Sequence, residues 1–367
     1  MNLQQLTLHD FRNYTQAQLS FDPGVNLIVG DNAQGKTNLL EAISYLGSAK
    51  SFRAQRTSEM VRFGAEFGEL EGKIFAQERQ QSVRFLLFPN ARPRQIFRNG
   101  ARKKSAEELS GLLPAVLFCP EDLLVLKTGA SQRRRFADNA LCGLRPNYDA
   151  ALAEYNRILE QKNRILKDHF ENPALLEILP EYNTRLCQVG ALLISYRARF
   201  YDALGRAAAG FHQQFSGGAE TFQLAYKTVS TVPDPFAPVG ELTENLLAHL
   251  RDHYRAELES AQCLTGPHKD DFSVSLSGID LKTYGSQGQT RTAAISLKLA
   301  QRELMKAQWG EEPLLLLDDV LSELDPGRQD FVLNQIVSGQ VFITCCEPGR
   351  FTKLGKTIQI EKGTVKE

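Results

Sequence analysis

The spacing of apolar positions divides the chain into stretches of different period. Leu3, Leu6 and Leu8, then Leu19 and Phe21, predict two short strands, with Phe11-Arg12-Asn13-Tyr14 between them. Val25-Asn26-Leu27-Ile28-Val29 reads as a buried strand, and Asn38 to Leu46 as an apolar helical segment. From Gly68 to Arg98 the pattern alternates. Glu69 to Phe75, Val83 to Phe88 and Gln95 to Arg98 predict a meander, with turns at Pro89-Asn90 and Asn99-Gly100. Ala115-Val116-Leu117-Phe118 is a short buried strand that ends at Pro120.

After Gly129 the period lengthens. Tyr148, Leu152, Tyr155, Leu159 and Leu166 recur at spacings of 4, 3, 4 and 7, a helix with a narrow apolar seam. Leu186, Val189, Leu193, Tyr196, Phe200 and Leu204 form a second such run, and Leu242, Leu246, Leu250, Tyr254 and Leu258 a third. From Leu276 short strands and helices return. Pro313 to Leu317 and Val341 to Thr344 predict buried strands flanking a helix near Arg328 to Val337. The expected organisation is α/β: a discontinuous nucleotide-binding lobe, residues 1–129 plus 263–367, carrying an N-terminal β meander and interrupted by a helical second lobe, residues 130–262.

Composition narrows the partners. The chain has 367 residues, long for one core, with 42% apolar and 23% charged residues. Its formal net charge is zero, so any nucleic-acid contact must come from a local basic patch. The six cysteines form no C-x-x-C pair and have no histidine at metal-ligand spacing, which suits a reducing cytosolic setting. Met1 to Asp10 lacks the apolar core of a signal peptide, and no stretch approaches the length of a membrane span. A cytoplasmic protein without a membrane partner is the expectation.

The densest chemistry is Gly30-Asp31-Asn32-Ala33-Gln34-Gly35-Lys36-Thr37, a complete G-x-x-x-x-G-K-[ST] phosphate loop between a strand and a helix. Its glycines let backbone N–H groups line an anion-sized cup, closed by the positive end of the following helix. Lys36 would reach the β- and γ-phosphates of ATP, and Thr37 would hold Mg2+. Leu314 to Leu317 runs into Asp318-Asp319, a Walker B pattern. Asp318 would join the magnesium shell, and Asp319 would accept a proton from an attacking water. Ahead of it, Tyr284-Gly285-Ser286-Gln287-Gly288-Gln289 opens a helical run, combining a hydroxyl, flexible backbone and a helix dipole. Ser322-Glu323-Leu324-Asp325 follows the strand.

This order resembles the ABC-type ATPases: phosphate loop, long insertion, signature, Walker B, then an aspartate-bearing loop. The resemblance implies an ATPase head in which the signature of one subunit, here Ser286, Gln287, Gly288 and Gln289 with Asp325, seals ATP held by another. A closer resemblance is to the RecF family of bacterial recombination-repair ATPases, related to SMC proteins. It rests on Phe11 to Tyr14, the phosphate loop, Phe118 to Leu123, Arg133 to Phe136, Gly266 to Asp271, Gly285 to Ala293 and Asp318 to Asp325, in family order. It implies ATP-dependent homodimerisation, binding of gapped and double-stranded DNA without sequence preference, cooperation with RecO and RecR, and roles in DNA replication, recombination and the SOS response.

Three departures from general ABC ATPases bear on rate. Asp319 stands where most carry Glu, and Thr344-Cys345-Cys346 stands where a switch histidine is usual. No glutamine is evident at a Q-loop; Pro120-Glu121-Asp122 occupies that region. Slow hydrolysis, with ATP as a clamp, is expected. Arg12, in a loop between strands of the same sheet, is expected near the nucleotide. Arg133, Arg134 and Arg135, within the basic run Lys127 to Arg145, suit DNA phosphate contacts or a solvated face, as do Arg92, Arg94, Arg98, Arg102, Lys103 and Lys104. Gly266-Pro267-His268-Lys269-Asp270-Asp271 suits a turn or a nucleotide-linked role. A transporter nucleotide-binding subunit would carry the missing histidine and glutamine, and an SMC protein would need far longer arms.

Overall fold

The computed structural model describes residues 1–90, 92–336, 338–346 and 349–366. The chain forms two compact units: Met1–Leu123 with Gln301–Glu367, and Leu124–Ala300.

The first unit opens with β1 (Asn2–Phe11), β2 (Tyr14–Ser20), β3 (Val25–Val29) and α1 (Lys36–Ser48). The meander follows as β4 (Gly68–Ala76), β5 (Arg79–Leu87), β6 (Gln95–Arg98) and β7 (Ala101–Lys103), then β8 (Ala115–Phe118). Asn99 and Gly100, at φ 52° and 77°, close the last hairpin in the left-handed conformation that Asn-Gly favours. These strands pair in the order β2-β1-β4-β5-β6-β7, an antiparallel sheet.

The second unit contains α2 (Ala130–Leu144), α3 (Pro146–Asp168), α4 (Leu179–Ser216), β9 (Phe222–Lys227) and α5 (Val239–Ser260). It continues through β10 (Asp271–Leu276), β11 (Ile279–Asp280) and α6 (Leu281–Tyr284) into α7 (Gln287–Trp309). Strand β10 pairs antiparallel with both β9 and β11. Two features refine the expected mostly helical insertion over 130–262. A strand lies inside it, and residues 263–300 group with it, because β9 finds its partner in β10. Helix α4 is also far longer than the run Leu186 to Leu204, at 38 residues. Buried Cys187, Ala191, Ile194, Leu242, Leu246 and Leu250 pack α4 against α5.

The first unit resumes with β12 (Leu314–Leu317), α8 (Pro326–Gln335), β13 (Val341–Cys345), β14 (Lys356–Glu361) and β15 (Thr364–Lys366). Val337, where the apolar pattern ends the α8 helix, lies outside the described residues. The second sheet runs β15-β14-β3-β13-β12-β8, parallel from β14 to β8 with β15 antiparallel at the edge. Strands β3, β13, β12 and β8 are almost wholly apolar, as a parallel sheet covered on both faces requires, while β14 and β15 are mostly polar. Helix α1 fills the space between the two sheets. Its Leu39, Leu40, Ile43 and Leu46 share one buried core with Leu6, Ile74 and Phe85 of the antiparallel sheet and Ile28, Leu316 and Phe342 of the parallel one. Gly72 permits the approach: a Cβ there would lie 2.6 Å from Leu46 Cδ1.

Candidate nucleotide site

Because β3, β13 and β12 are parallel neighbours, the loop after β3 and the tip of β12 emerge on the same edge of the sheet, either side of β13. That carboxyl edge is where ligands bind in open α/β sheets. The residues 30–37 loop turns there, and its glycines are sterically required. A Cβ on Gly30 would sit 2.3 Å from the carbonyl oxygen of Ile360. Gly35 has φ +117°, and a Cβ there would meet the Asn13 amide at 2.6 Å.

Helix α1 starts at Lys36 behind Gly35 with no side-chain cap. Its first-turn amides thus have no intrahelical partner and face the loop, which fits a phosphate. Lys36 is 4% exposed. Its Nζ donates to the carbonyls of Gly30 (2.7 Å) and Asp31 (3.2 Å) and lies 3.3 Å from Cys346 Sγ. Asp31, Asn32 and Ala33 form the exposed outer rim, with Ala33 at φ +63°. Gln34 anchors the loop: its carbonyl accepts from Asn13 Nδ2 and from the Gly363 amide, both at 2.9 Å.

The structure brings both halves of the Walker pair together. Thr37 Oγ1 donates to Asp318 Oδ1 at 3.0 Å, and Thr344 Oγ1 donates to the same oxygen at 3.0 Å. Thr344 Oγ1 also accepts the Asp319 amide at 2.8 Å. Burial pushes the Asp318 carboxyl up, hydrogen bonds from Thr37 and Thr344 oppose this, and the Asp319 charge adds to the rise. A divalent cation would offset that cost, and a hydroxyl beside a carboxylate is the hard-oxygen donor set Mg2+ takes. Among the described residues there is no group of three or more His, Cys, Asp and Glu that could hold a metal. Magnesium here would therefore need nucleotide oxygens as further ligands. Asp319 is half-buried in the left-handed region, φ 51°, uncommon for a non-glycine residue.

Arg12 lies in the tight turn between β1 and β2, and each of its three guanidinium nitrogens makes a hydrogen bond. Nε and Nη2 fork onto Glu41 at 2.8 and 2.7 Å, and Nη1 meets the Glu59 carbonyl at 2.6 Å. The neighbours of Arg12 are what touch the loop: Asn13 holds Gln34 and Asn38, and Tyr14 Oη donates to the Gly35 carbonyl at 3.0 Å. Sequence reasoning assigned no role to Asn13, Tyr14 or Thr344, although the first two sit in the Phe11 to Tyr14 motif. Only the packing of the β1–β2 turn against the loop shows their role.

The signature turn belongs to the second unit. Ser286 and Gln289 cap α7 reciprocally: the Ser286 amide donates to Gln289 Oε1 (3.1 Å), and the Gln289 amide to Ser286 Oγ (3.2 Å). Gln287 and Gly288 occupy the first turn of α7, where amides lack intrahelical partners. Gly285 is required, since a Cβ there would lie 2.7 Å from the Leu281 carbonyl. Asp325, in the first unit, caps α8 through the Arg328 amide at 3.1 Å.

Part of the expected basic surface is spent on the fold. Arg133 is 2% exposed and forks onto Asp271 at 2.6 and 2.7 Å, with Nη1 on the Thr128 carbonyl, so it has no face for a phosphate. This corrects its assignment to a DNA surface; a charge this buried needs a fixed partner. Arg134 donates to the Asp270 carbonyl at 2.8 Å, while Arg135 is exposed. In the other basic group, Arg94 bonds Tyr45 and Ala49, Arg98 bonds Gln81 and Glu108, and Lys103 pairs with Glu108.

The Gly266 to Asp271 segment is tied into a polar network within the second unit, with Asp270 buried and Lys269 exposed. His268 Nε2 donates to the Cys263 carbonyl (3.0 Å) and Nδ1 faces Tyr155 Oη (2.7 Å). Burial pushes the His268 imidazole down to about 4. Arg197 ties Asp270, Asp138, the Pro267 carbonyl and Tyr148 together at 2.6–3.0 Å. These bonds favour the turn reading of the motif.

The family model for the RecF/RecN/SMC N terminal domain matches residues 2–366. The DNA replication and repair protein RecF of Agathobacter rectalis is 38% identical over 369 residues, spanning 100% of this chain and 99% of that protein. Its counterpart in Staphylococcus epidermidis is 39% identical over 349 residues, spanning 94% and 93%. A solved structure of the recombination mediator protein RecF-ATPrS in the RecFOR pathway superposes with a TM-score of 0.91 at 34% identity, covering 99% of this chain and 97% of that one. An Smc head domain from Pyrococcus furiosus shares the fold alone, at TM-score 0.56 and 16% identity over 99% and 95%. Matched end to end by relatives more than a third identical, the chain belongs to the RecF family.

Proposed function

We propose that this chain is an ATP-dependent DNA-binding protein of recombinational repair, working in the cytoplasm. It holds ATP and Mg2+ at the residues 30–37 loop with Asp318, and ATP joins two copies when Ser286 and its neighbours in one copy cover the triphosphate held by the other. The dimer engages duplex, gapped and junction DNA through the sugar-phosphate backbone and assists recombinase loading with RecO and RecR. Family membership and the ATP-bearing relatives support this reading. The observation that carries the nucleotide part is the 3.0 Å bond from Thr37 to Asp318, which puts a hydroxyl and a carboxylate beside an uncapped helix N-terminus.

Bound Mg2+ would neutralise charge on the phosphates. Asp319 would orient an attacking water and take its proton. Its backbone is fixed by Thr344, whose hydroxyl replaces an imidazole and lacks its readiness to exchange a proton near neutral pH. Turnover is accordingly slow, and ATP acts as a clamp. Sedimentation velocity with ATP and a gapped duplex tests the proposal. Dimers are expected for the native chain and absent for Lys36→Ala and Ser286→Arg. ATP-independent dimers, or a Ser286→Arg chain that dimerises normally, would overturn it.

A further inference from the structure

The signature turn is held from two sides by residues that no nucleotide motif contains. Lys127 Nζ donates to the carbonyls of Gly285 (2.8 Å) and Lys282 (3.1 Å), at the end of α6. On the other side, Gln289 Nε2 donates to Glu220 Oε1 at 2.7 Å. Glu220 lies in the link between α4 and β9. The pairing of β9 with β10, anchored by Phe222 opposite Leu276, carries that link to the turn. The Ser277 amide reinforces it by donating to the Thr221 carbonyl at 2.8 Å.

The Gln289 amide has a donor end and an acceptor end, whereas a carboxylate only accepts. Glu220 therefore fixes which way the amide faces: Nε2 toward Glu220, Oε1 toward the Ser286 amide at 3.1 Å. Glu220 is itself held from behind. Its Oε2 accepts from His212 Nε2 at 2.9 Å, and His212, near the end of α4, is fully buried. A carboxylate beside an anion-receiving helix start works against the charge it would meet. Its placement is understandable if it orders the turn.

Resting on the reading that Ser286 seals ATP across two copies, we infer that Glu220, backed by His212, is a positioning residue for the signature turn. It fixes the rotamer and amide orientation of Gln289, which in turn ties down Ser286. The Gln287 and Gly288 amides and the Ser286 hydroxyl are thereby pre-arranged for phosphate oxygens, and the ordering cost is met before two copies associate.

The test compares ATP-dependent dimerisation with ATP binding to the single copy. Glu220→Ala is expected to weaken dimerisation about tenfold or more, while the affinity for a fluorescent ATP analogue, measured in a Ser286→Arg background, changes by less than about twofold. Glu220→Gln, which keeps an acceptor for Gln289, restores dimerisation. Gln289→Ala matches Glu220→Ala, and the double variant is no weaker than Gln289→Ala alone. Normal dimerisation by Glu220→Ala, or additive losses in the double variant, would overturn the inference while leaving the sealing role of Ser286 standing. If Ser286→Arg itself dimerises normally, the underlying reading falls and takes the inference with it. Should Glu220→Ala melt early, Glu220→Gln and Gln289→Ala decide: failure of Glu220→Gln to dimerise, or normal dimerisation by Gln289→Ala, refutes it.

Discussion

Thr37 Oγ1 and Asp318 Oδ1, 281 positions apart in sequence, share a hydrogen bond of 3.0 Å. It joins the first turn of α1 to the tip of β12 and defines where a magnesium ion would sit. Asp318→Asn keeps the hydrogen bond but removes the charge. ATP binding in the presence of Mg2+ is expected to weaken about 10–100-fold, with little change when Mg2+ is chelated. Titration of a fluorescent ATP analogue with and without EDTA checks this. Equal weakening in both conditions would show that Asp318 does not act through the metal.

Thr344 stands where an imidazole is usual; its hydroxyl donates to the Asp318 carboxylate and accepts from the Asp319 amide. Thr344→Val removes one of the two hydrogen bonds to Asp318 Oδ1 and strands the Asp319 amide, so a stability loss of about 1–3 kcal/mol is expected in urea unfolding. Single-turnover hydrolysis should fall more than ATP affinity, and Thr344→Ser should recover both. A Val variant that hydrolyses ATP normally would remove Thr344 from the site.

The two neighbours Arg133 and Arg135 should separate cleanly. Arg133→Ala removes three hydrogen bonds, two of them to the Asp271 carboxylate, and is expected to cost about 2–3 kcal/mol of stability. Arg135→Ala, at an exposed position, should change stability by no more than about 0.5 kcal/mol. If Arg135 meets DNA, its loss lowers the salt slope of duplex binding by about one unit. An Arg133→Ala protein of full stability would contradict the buried pairing.

Acid should weaken the second unit through His268. Burial lowers its folded-state pKa to about 4 from an ordinary 6.5, so the unfolded chain takes up the proton first. The stability associated with this group is complete above pH 6.5 and is lost as pH falls from there toward 4. Asp270 acts in the opposite sense, because burial raises its carboxyl. Urea unfolding of His268→Gln from pH 7 to pH 4 should show a shallower decline than the native chain. Parallel curves would exclude His268 as the source.

The sequence alone determined the chemistry that depends on local spacing. The phosphate loop, the strand ending in Asp318-Asp319 and the Ser286 turn are each defined by a few adjacent residues, and local patterns of period two or 3.6 reveal their flanks. Folding decided what depends on partners distant in the chain. Strand β9 has an ordinary pattern and becomes legible only once β10 pairs with it. Arg133 and Arg135 look alike in sequence, yet one is buried on Asp271 and the other exposed, because a carboxylate 138 positions away closes over the first. Asn13, Thr344 and Glu220 likewise act through neighbours brought to them by sheet pairing and turns. A side chain's charge is written in the sequence; whether that charge faces solvent, a ligand or a buried partner is set by packing.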